Sequence, residues 1–167
     1  MSLFRPFWTC TLIVGLAACD FSPLYGGSQN RAIYQEFAHI KITLIANREG
    51  QIVHNFLLDH LNPSGRPADS RYTLRVSVTR STQEIGLKFT EEATRAKLIL
   101  IARYFLTCDT DGKILAEGSV RSVNNYNISD SEFARVVSER DATERAAREV
   151  SDEIKTRLGL YFSRRGA

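Results

Sequence analysis

The chain has 167 residues, 43% of them hydrophobic and 25% charged, with 22 Lys and Arg against 19 Asp and Glu for a net charge of +3. That composition predicts a single globular domain with one two-layer core once the N-terminal segment is set aside. Both charge signs are mixed along the chain, with no basic block and no nucleic-acid motif, so a nucleic-acid partner is not expected.

The first eighteen residues do not read as fold. One positive side chain, Arg5, precedes a short apolar run over residues 7–18. The run is too short to cross a bilayer, for which about 20 apolar residues are needed, and it has the length and flanks of a secretory signal peptide. The run stops in "TLIVGLAACDFSPLYGG", where Leu16-Ala17-Ala18-Cys19 resembles a bacterial lipobox. Cleavage there would leave Cys19 to carry lipid, and several acyl chains bind durably where one binds marginally. Of the three cysteines, Cys10 leaves with the signal peptide and Cys19 takes lipid. Cys108 then has no disulfide partner in the mature chain; it follows the apolar run "LILIARYFLT", which predicts a buried, inert thiol.

Residues 19–35 read as a lipidated tether, because Pro23, Gly26, Gly27, Ser28 and Asn30 discourage regular structure. Residues 36–163 are expected to form one domain. In "FAHIKITLIANR", Ile40, Ile42 and Leu44 alternate with polar residues, which predicts a half-buried strand. Residues 49–61 change period and place Ile52, Val53, Phe56, Leu57 and Leu61 on one helical face. "YTLRVSVTR" is a strand with Tyr72, Leu74, Val76 and Val78 on one side and Thr73, Arg75, Ser77 and Thr79 on the other. "EATRAKLILIARYFLTCD" is apolar on both sides at its centre, as in an interior strand covered on both faces. Asp111-Gly112 marks a hairpin, and residues 113–126 form the returning strand. Ser129 and Glu132 fit a capping box. The helix that follows, over residues 130–162, carries Phe133, Val136, Val137, Ala146, Ala147, Val150, Ile154, Leu158 and Tyr161 at helical spacing. The predicted fold class is α+β in the order β-α-β-β-β-α: a four-stranded, mostly antiparallel sheet with both helices on one face.

Enzymatic chemistry is not expected. His39, His54 and His60 show no metal spacing, and surface or boundary positions are predicted for them. Asp109-Thr110-Asp111-Gly112 begins like a calcium loop, but Ile114 and Val120 stand where Gly and Glu are required. There is no nucleophile elbow and no phosphate-binding glycine loop. Neither a metal nor a cofactor is implied beyond the covalent lipid on Cys19.

The lipobox with "CDFSPLYG", together with "ATRAKLILIARYFL", "VRSVNNYN" and "SEFARVVSERDATERAAREVSDEIKTRL", resembles the LPS-assembly lipoprotein family (LptE). The resemblance covers nearly the whole mature chain. It implies a lipid-anchored protein on the periplasmic side of the outer membrane that plugs and helps assemble the LptD β-barrel translocon and takes part in lipopolysaccharide transport. The implied partners are an LptD-type barrel, lipopolysaccharide, and the membrane through the lipid anchor. Candidate lipopolysaccharide contacts are Lys88, Arg95, Lys97, Arg121 and Arg140, because Lys and Arg meet lipid A phosphates. A solvated charge or a contact with the barrel wall is the other reading of each. Asp20 directly follows the lipidated cysteine; in the enteric sorting pattern it favours inner-membrane retention, which is the alternative location. The competing functional class is a freestanding periplasmic ligand-binding lipoprotein, which would be a monomer with an enclosed apolar cavity.

Overall fold

The computed structural model describes residues 28–85, 95–129 and 131–165. The expected signal segment, Cys19 with most of the tether, and Lys88 lie outside the described residues. The chain divides into two units, Met1–Ala32 and Ile33–Ala167, and the architecture below is that of the second.

The elements in chain order are α1 (Ser28–Phe37), β1 (Ile40–Ile42), α2 (Arg48–Leu61), β2 (Tyr72–Ile85), β3 (Arg95–Cys108), β4 (Ile114–Asn127) and α3 (Glu132–Arg165). The four strands form one sheet in the order β1-β2-β3-β4. β1 runs parallel to β2, and the other two pairings are antiparallel. The α+β class and the order β-α-β-β-β-α are therefore as the periodicities predict. The addition is α1, which starts within the stretch read as tether. The glycines at 26 and 27 precede it, and from Arg31 onward the chain has neither Gly nor Pro until Phe37, which is buried.

Alternation along the three 14-residue strands sorts side chains onto two faces. Tyr72, Leu74 and Val76 of β2, Leu98, Leu100, Ala102, Tyr104 and Leu106 of β3, and Val120 of β4 lie on one face and are buried. Val53, Leu57 and Leu61 of α2 and Ala142, Ala146, Ala147, Val150, Ile154 and Leu158 of α3 meet them in a single core. α3 has 34 residues and is about 51 Å long at 1.5 Å per residue, close to the length of the strands beneath it. At its far end Phe162 stacks against Tyr72 and Phe37, with ring centroids 5.3 and 6.1 Å away. The Tyr72 hydroxyl donates to Glu36 at 2.8 Å.

Several local expectations are corrected. Among the described residues β3, predicted to be covered on both faces, has helices on one face only. Leu44, predicted to alternate with Ile40 and Ile42 in a half-buried strand, lies past β1 and is 76% exposed. The helix cap is Ser131, whose hydroxyl accepts from the Ala134 N–H at 3.5 Å; Ser129 only accepts from the Ser131 N–H. Phe133, Val136 and Val137 are 79%, 53% and 48% exposed, so the core stripe of α3 begins at Ala142. Before that point the residue turned to the sheet is Glu139, which bonds Arg80, and the apolar residues flank or oppose it. His54 is buried rather than at a boundary, and neither ring nitrogen has a hydrogen-bond partner. His60 does lie at the boundary, with Nδ1 3.0 Å from the Asp152 carboxylate. Cys108, predicted to be buried, is not fully so, and Gly112 turns the β3–β4 hairpin with φ of 67°.

Two of these contacts yield predictions. The turn from β1 into α2 presses Gly50 against buried Ile45, and a Cβ on Gly50 would sit 2.6 Å from Ile45 Cγ2. Gly50→Ala should therefore destabilise the fold by about 1–3 kcal/mol through overpacking, although Ala is the better helix former; the urea midpoint measures it. Burial, and secondarily the charge of Arg66, hold the His54 imidazole below its ordinary value of 6.5, against a smaller opposing effect from the Thr43 backbone. The folded state thus prefers neutral His54. Its contribution is complete above 6.5 and is lost as pH falls below that value, where the unfolded chain takes up the proton first. His54→Leu should flatten the loss of stability between about pH 7 and pH 5, read from urea midpoints across that range.

Candidate functional site

The face of the sheet opposite the helices carries the other half of the alternation. From β2 it presents Thr73, Arg75, Ser77, Thr79, Ser81, Gln83 and Ile85. From β3 it presents Arg95, Lys97, Ile99, Ile101, Arg103, Phe105 and Thr107. β4 adds Glu117, Ser119, Arg121, Val123, Asn125 and Asn127, and β1 adds Lys41. Among the described residues, α2 and α3 both pack on the other face, and no helix crosses this one.

Three of the predicted basic residues meet here. Arg95 and Lys97 are two residues apart on β3, where Lys97 stands between Gln83 and Asn125. Arg121 stands beside Ile101 on β4. Arg140 does not join them: it projects from α3 on the helix side. Lys88 lies outside the described residues. Sequence reasoning passed over Lys41, Arg75 and Arg103 as site residues. The signal was present in the alternation of "YTLRVSVTR" and "LIARYF", which turns Arg75 and Arg103 away from their buried neighbours.

Among the described residues, six cationic side chains thus share one face with Glu117, and with Asp109 at its end, whose carboxylate accepts from the Thr73 hydroxyl at 2.6 Å. Neither the six cations nor Glu117 forms an ion pair or a side-chain hydrogen bond among the described residues. Same-face neighbours along a strand are about 7 Å apart and diagonal neighbours on adjacent strands about 7–8 Å. Both distances fall within the Debye length of about 8 Å at physiological salt, so cations repel one another and attract anions within each of two groups: Lys41, Arg75, Arg103 and Arg121 as successive diagonal neighbours, and Arg95 with Lys97, about 13 Å further along the strands. Apolar groups are interleaved with them: Ile85, Phe105 and Val123 are 49%, 40% and 42% exposed. The surface offers charge-assisted donors, from Arg and Lys, and apolar contact area, from Ile, Phe and Val, side by side.

On the helix side, α2 and the first half of α3 diverge around a cleft of about 630 Å³. Its walls mix Ile52, Phe56 and Val136 with Arg48, Glu49, Asp59, Arg80, Glu139, Arg140 and Glu144. This is not the enclosed apolar cavity that a freestanding ligand-binding lipoprotein would need. Arg80 stands at its floor and ties the layers together, donating to Glu49 of α2 at 3.0 Å and to Glu139 of α3. Glu49 is held below the usual carboxylate range by its own backbone N–H near the start of α2 and by Arg80, with burial opposing. Among the described residues no cluster of three His, Cys, Asp or Glu side chains has metal-binding geometry, and no helix is long and apolar enough to cross a membrane.

The fold has relatives among solved structures. A candidate lipoprotein from Caulobacter crescentus superimposes with a TM-score of 0.66 at 19% identity, covering 80% of this chain and 96% of that one. A minor lipoprotein from Acinetobacter baumannii gives 0.53 at 16%, covering 72% and 94%. The rare lipoprotein B from Shewanella oneidensis gives 0.51 at 12%, covering 72% and 93%. The chain therefore has the fold seen in these lipoproteins. No protein-family model matches the sequence, and no curated protein does.

Removing the Arg80 tie should leave two neighbouring carboxylates without their shared partner. Arg80→Met is expected to cost about 1–2 kcal/mol at neutral pH, since the group is one-quarter exposed and solvent weakens the pair. Glu49 contributes fully above its ordinary value of 4.5 and loses that contribution as pH falls through its lower folded value. The deficit of the variant should therefore shrink below about pH 4, which urea titrations at the two pH values would show.

Proposed function

We propose that this protein is an outer-membrane lipoprotein, anchored through Cys19, that plugs and helps assemble an LptD-type β-barrel translocon. In this reading it assists lipopolysaccharide on its way to the cell surface, by binding and not by turnover. The observation that carries the reading is the exposed sheet face with six unpaired cations and interleaved apolar side chains. Lipopolysaccharide has both properties this surface asks for: phosphates for Arg95, Lys97, Arg103 and Arg121, and acyl chains for Ile85, Phe105 and Val123. The resemblance of "CDFSPLYG" and the later motifs to the LPS-assembly lipoproteins supports the assignment, and the fold shared with other lipoproteins agrees with it. A mixed, charged exterior also suits a plug, because the lumen of a large barrel is polar and hydrated.

Each basic residue near an anionic lipid surface contributes about 1 kcal/mol. The combined variant Arg95→Gln, Lys97→Gln and Arg121→Gln should therefore bind purified lipopolysaccharide about 100-fold more weakly. Its urea midpoint should be unchanged, because all three side chains lie on the face away from the core. Equal affinity for wild type and variant would refute the role of this face. Failure of the full chain to co-purify with a barrel from detergent-solubilised membranes, or normal surface lipopolysaccharide after verified depletion, would refute the assembly reading.

A further inference from the structure

The two edges of the sheet are treated differently. β4 is one edge, and its outward backbone groups belong to the odd-numbered residues, which face β3 in non-hydrogen-bonded pairs, among them Ser119 opposite Arg103 and Arg121 opposite Ile101. α3 covers one outward carbonyl of that edge and reaches side chains next to it. Arg157 of α3 donates to the Ser119 carbonyl at 3.0 Å, and Arg145 and Glu149 reach the neighbouring Asn124 and Ser122. The other edge is shared by β1 and β2, and β1 is only three residues long. It covers β2 at positions 72–74, and the Thr43 N–H makes one more bond, to the Leu74 carbonyl. Beyond that point, among the described residues, nothing bonds to the outward N–H and C=O groups of Val76, Val78, Arg80, Thr82 and Glu84.

This stretch lacks the usual protections of a free edge. It has no proline and no bulge: its register with β3 is unbroken from Tyr72 to Ile85, whereas β3 with β4 slips at Leu106/Thr107. Its inward charge, Arg80, is occupied by Glu49 and Glu139. Where a continuation of β1 would run there is instead an open hollow of about 480 Å³, bounded by Asn47 and Glu49 on one side and residues 78–82 on the other.

We propose that the vacant edge of β2 is a strand-addition site, on which an extended segment of the barrel partner continues the line of β1. The inference rests on the functional reading above and adds the place and mode of contact. Main-chain hydrogen bonds to residues 76–84 supply the affinity, and alternate side chains supply the selectivity. The segment this edge selects has apolar residues toward the helices, beside Val76 and Val78, which are buried and half-buried. Toward the open face it has an acidic residue for Arg75, which is exposed and forms no ion pair among the described residues.

The experiment compares amide hydrogen exchange in the full chain alone and in its purified complex with the co-expressed LptD-type barrel. Val76, Val78, Arg80 and Thr82 should exchange at least about ten-fold more slowly in the complex, as newly paired ladder amides do. Thr82→Pro removes an outward N–H and leaves the β3 ladder intact. It should reduce the barrel recovered several-fold while the free variant keeps the wild-type pattern of β3 exchange; Val78→Lys, which brings a charge to the same edge, should reduce recovery likewise. A complex that forms with these amides unprotected overturns the strand-addition site alone. Absence of any complex with the wild-type chain overturns both readings. Protection already present in the free chain overturns the proposal as well, with its dependence on concentration separating pairing with a second copy from cover by the chain itself.

Discussion

The main constraint is a sheet that, among the described residues, packs helices on only one of its faces, with Ile99 and Thr107 the buried exceptions on the other. α2 and α3 lie on the same side, and their apolar stripes match the even-numbered positions of β2, β3 and β4. Once that side is chosen, the odd-numbered positions of β2 and β3 have no helix to meet. A one-residue slip would exchange the two sets, placing Arg75 and Arg103 in the core, so the burial pattern also fixes the register. The open face is thus a consequence of core formation, and its cations are free to serve binding because stability does not depend on them.

The second constraint is the divergence of the two helices. Small residues at Ala142, Ala146 and Ala147 let the middle of α3 lie close to the sheet. Ser151, which is buried, packs near the Val53 carbonyl of α2. Toward the start of α3 the helices separate, and the space between them is spanned by Arg80 with Glu49 and Glu139 in place of apolar packing. An ion pair of this kind holds two elements at a defined separation without filling the gap between them. That separation is what leaves a cleft beside the free part of β2 and exposes Phe133, Val136 and Val137.

The architecture was largely legible in the sequence because it is written in two periods. The alternation in "YTLRVSVTR" and the helical spacing from Ala146 to Leu158 each follow one rule over several repeats, and both elements appear as read. Where the reading failed, a single interaction overrode the period. Helical spacing included Phe133 and Val136 in the core stripe, but it carries no information on where the sheet ends or on the contact of Glu139 with Arg80. The absence of metal spacing predicts a surface or boundary position for His54, yet its place beside Val53 and Leu57 on the buried face of α2 was already in the helical period. The site was half legible. Charge and resemblance point to Arg95, Lys97 and Arg121, and the register puts all three on one face. The same grounds point to Arg140, which lies on the helix side, because charge alone does not say which face a residue occupies. Arg75 and Arg103 needed only the alternation already in hand to be included.

Fold and surface carry different parts of the functional argument. The likeness to three lipoprotein structures at 12–19% identity concerns the path of the backbone, and one backbone can serve many functions. The other part is the distribution of this chain's side chains on that path. An apolar open face would promote self-association, and a neutral polar one would have no selectivity for charge. Cations separated by about one Debye length, with isoleucine and phenylalanine between them, favour a ligand that presents several negative charges on an apolar body. A small anion would satisfy one or two of these side chains and leave the apolar ones in water, whereas an amphiphile engages both sets at once. In the proposed role, selectivity would lie in the spacing set by the strands, about 4.8 Å between neighbouring strands and 7 Å along each, more than in any one residue.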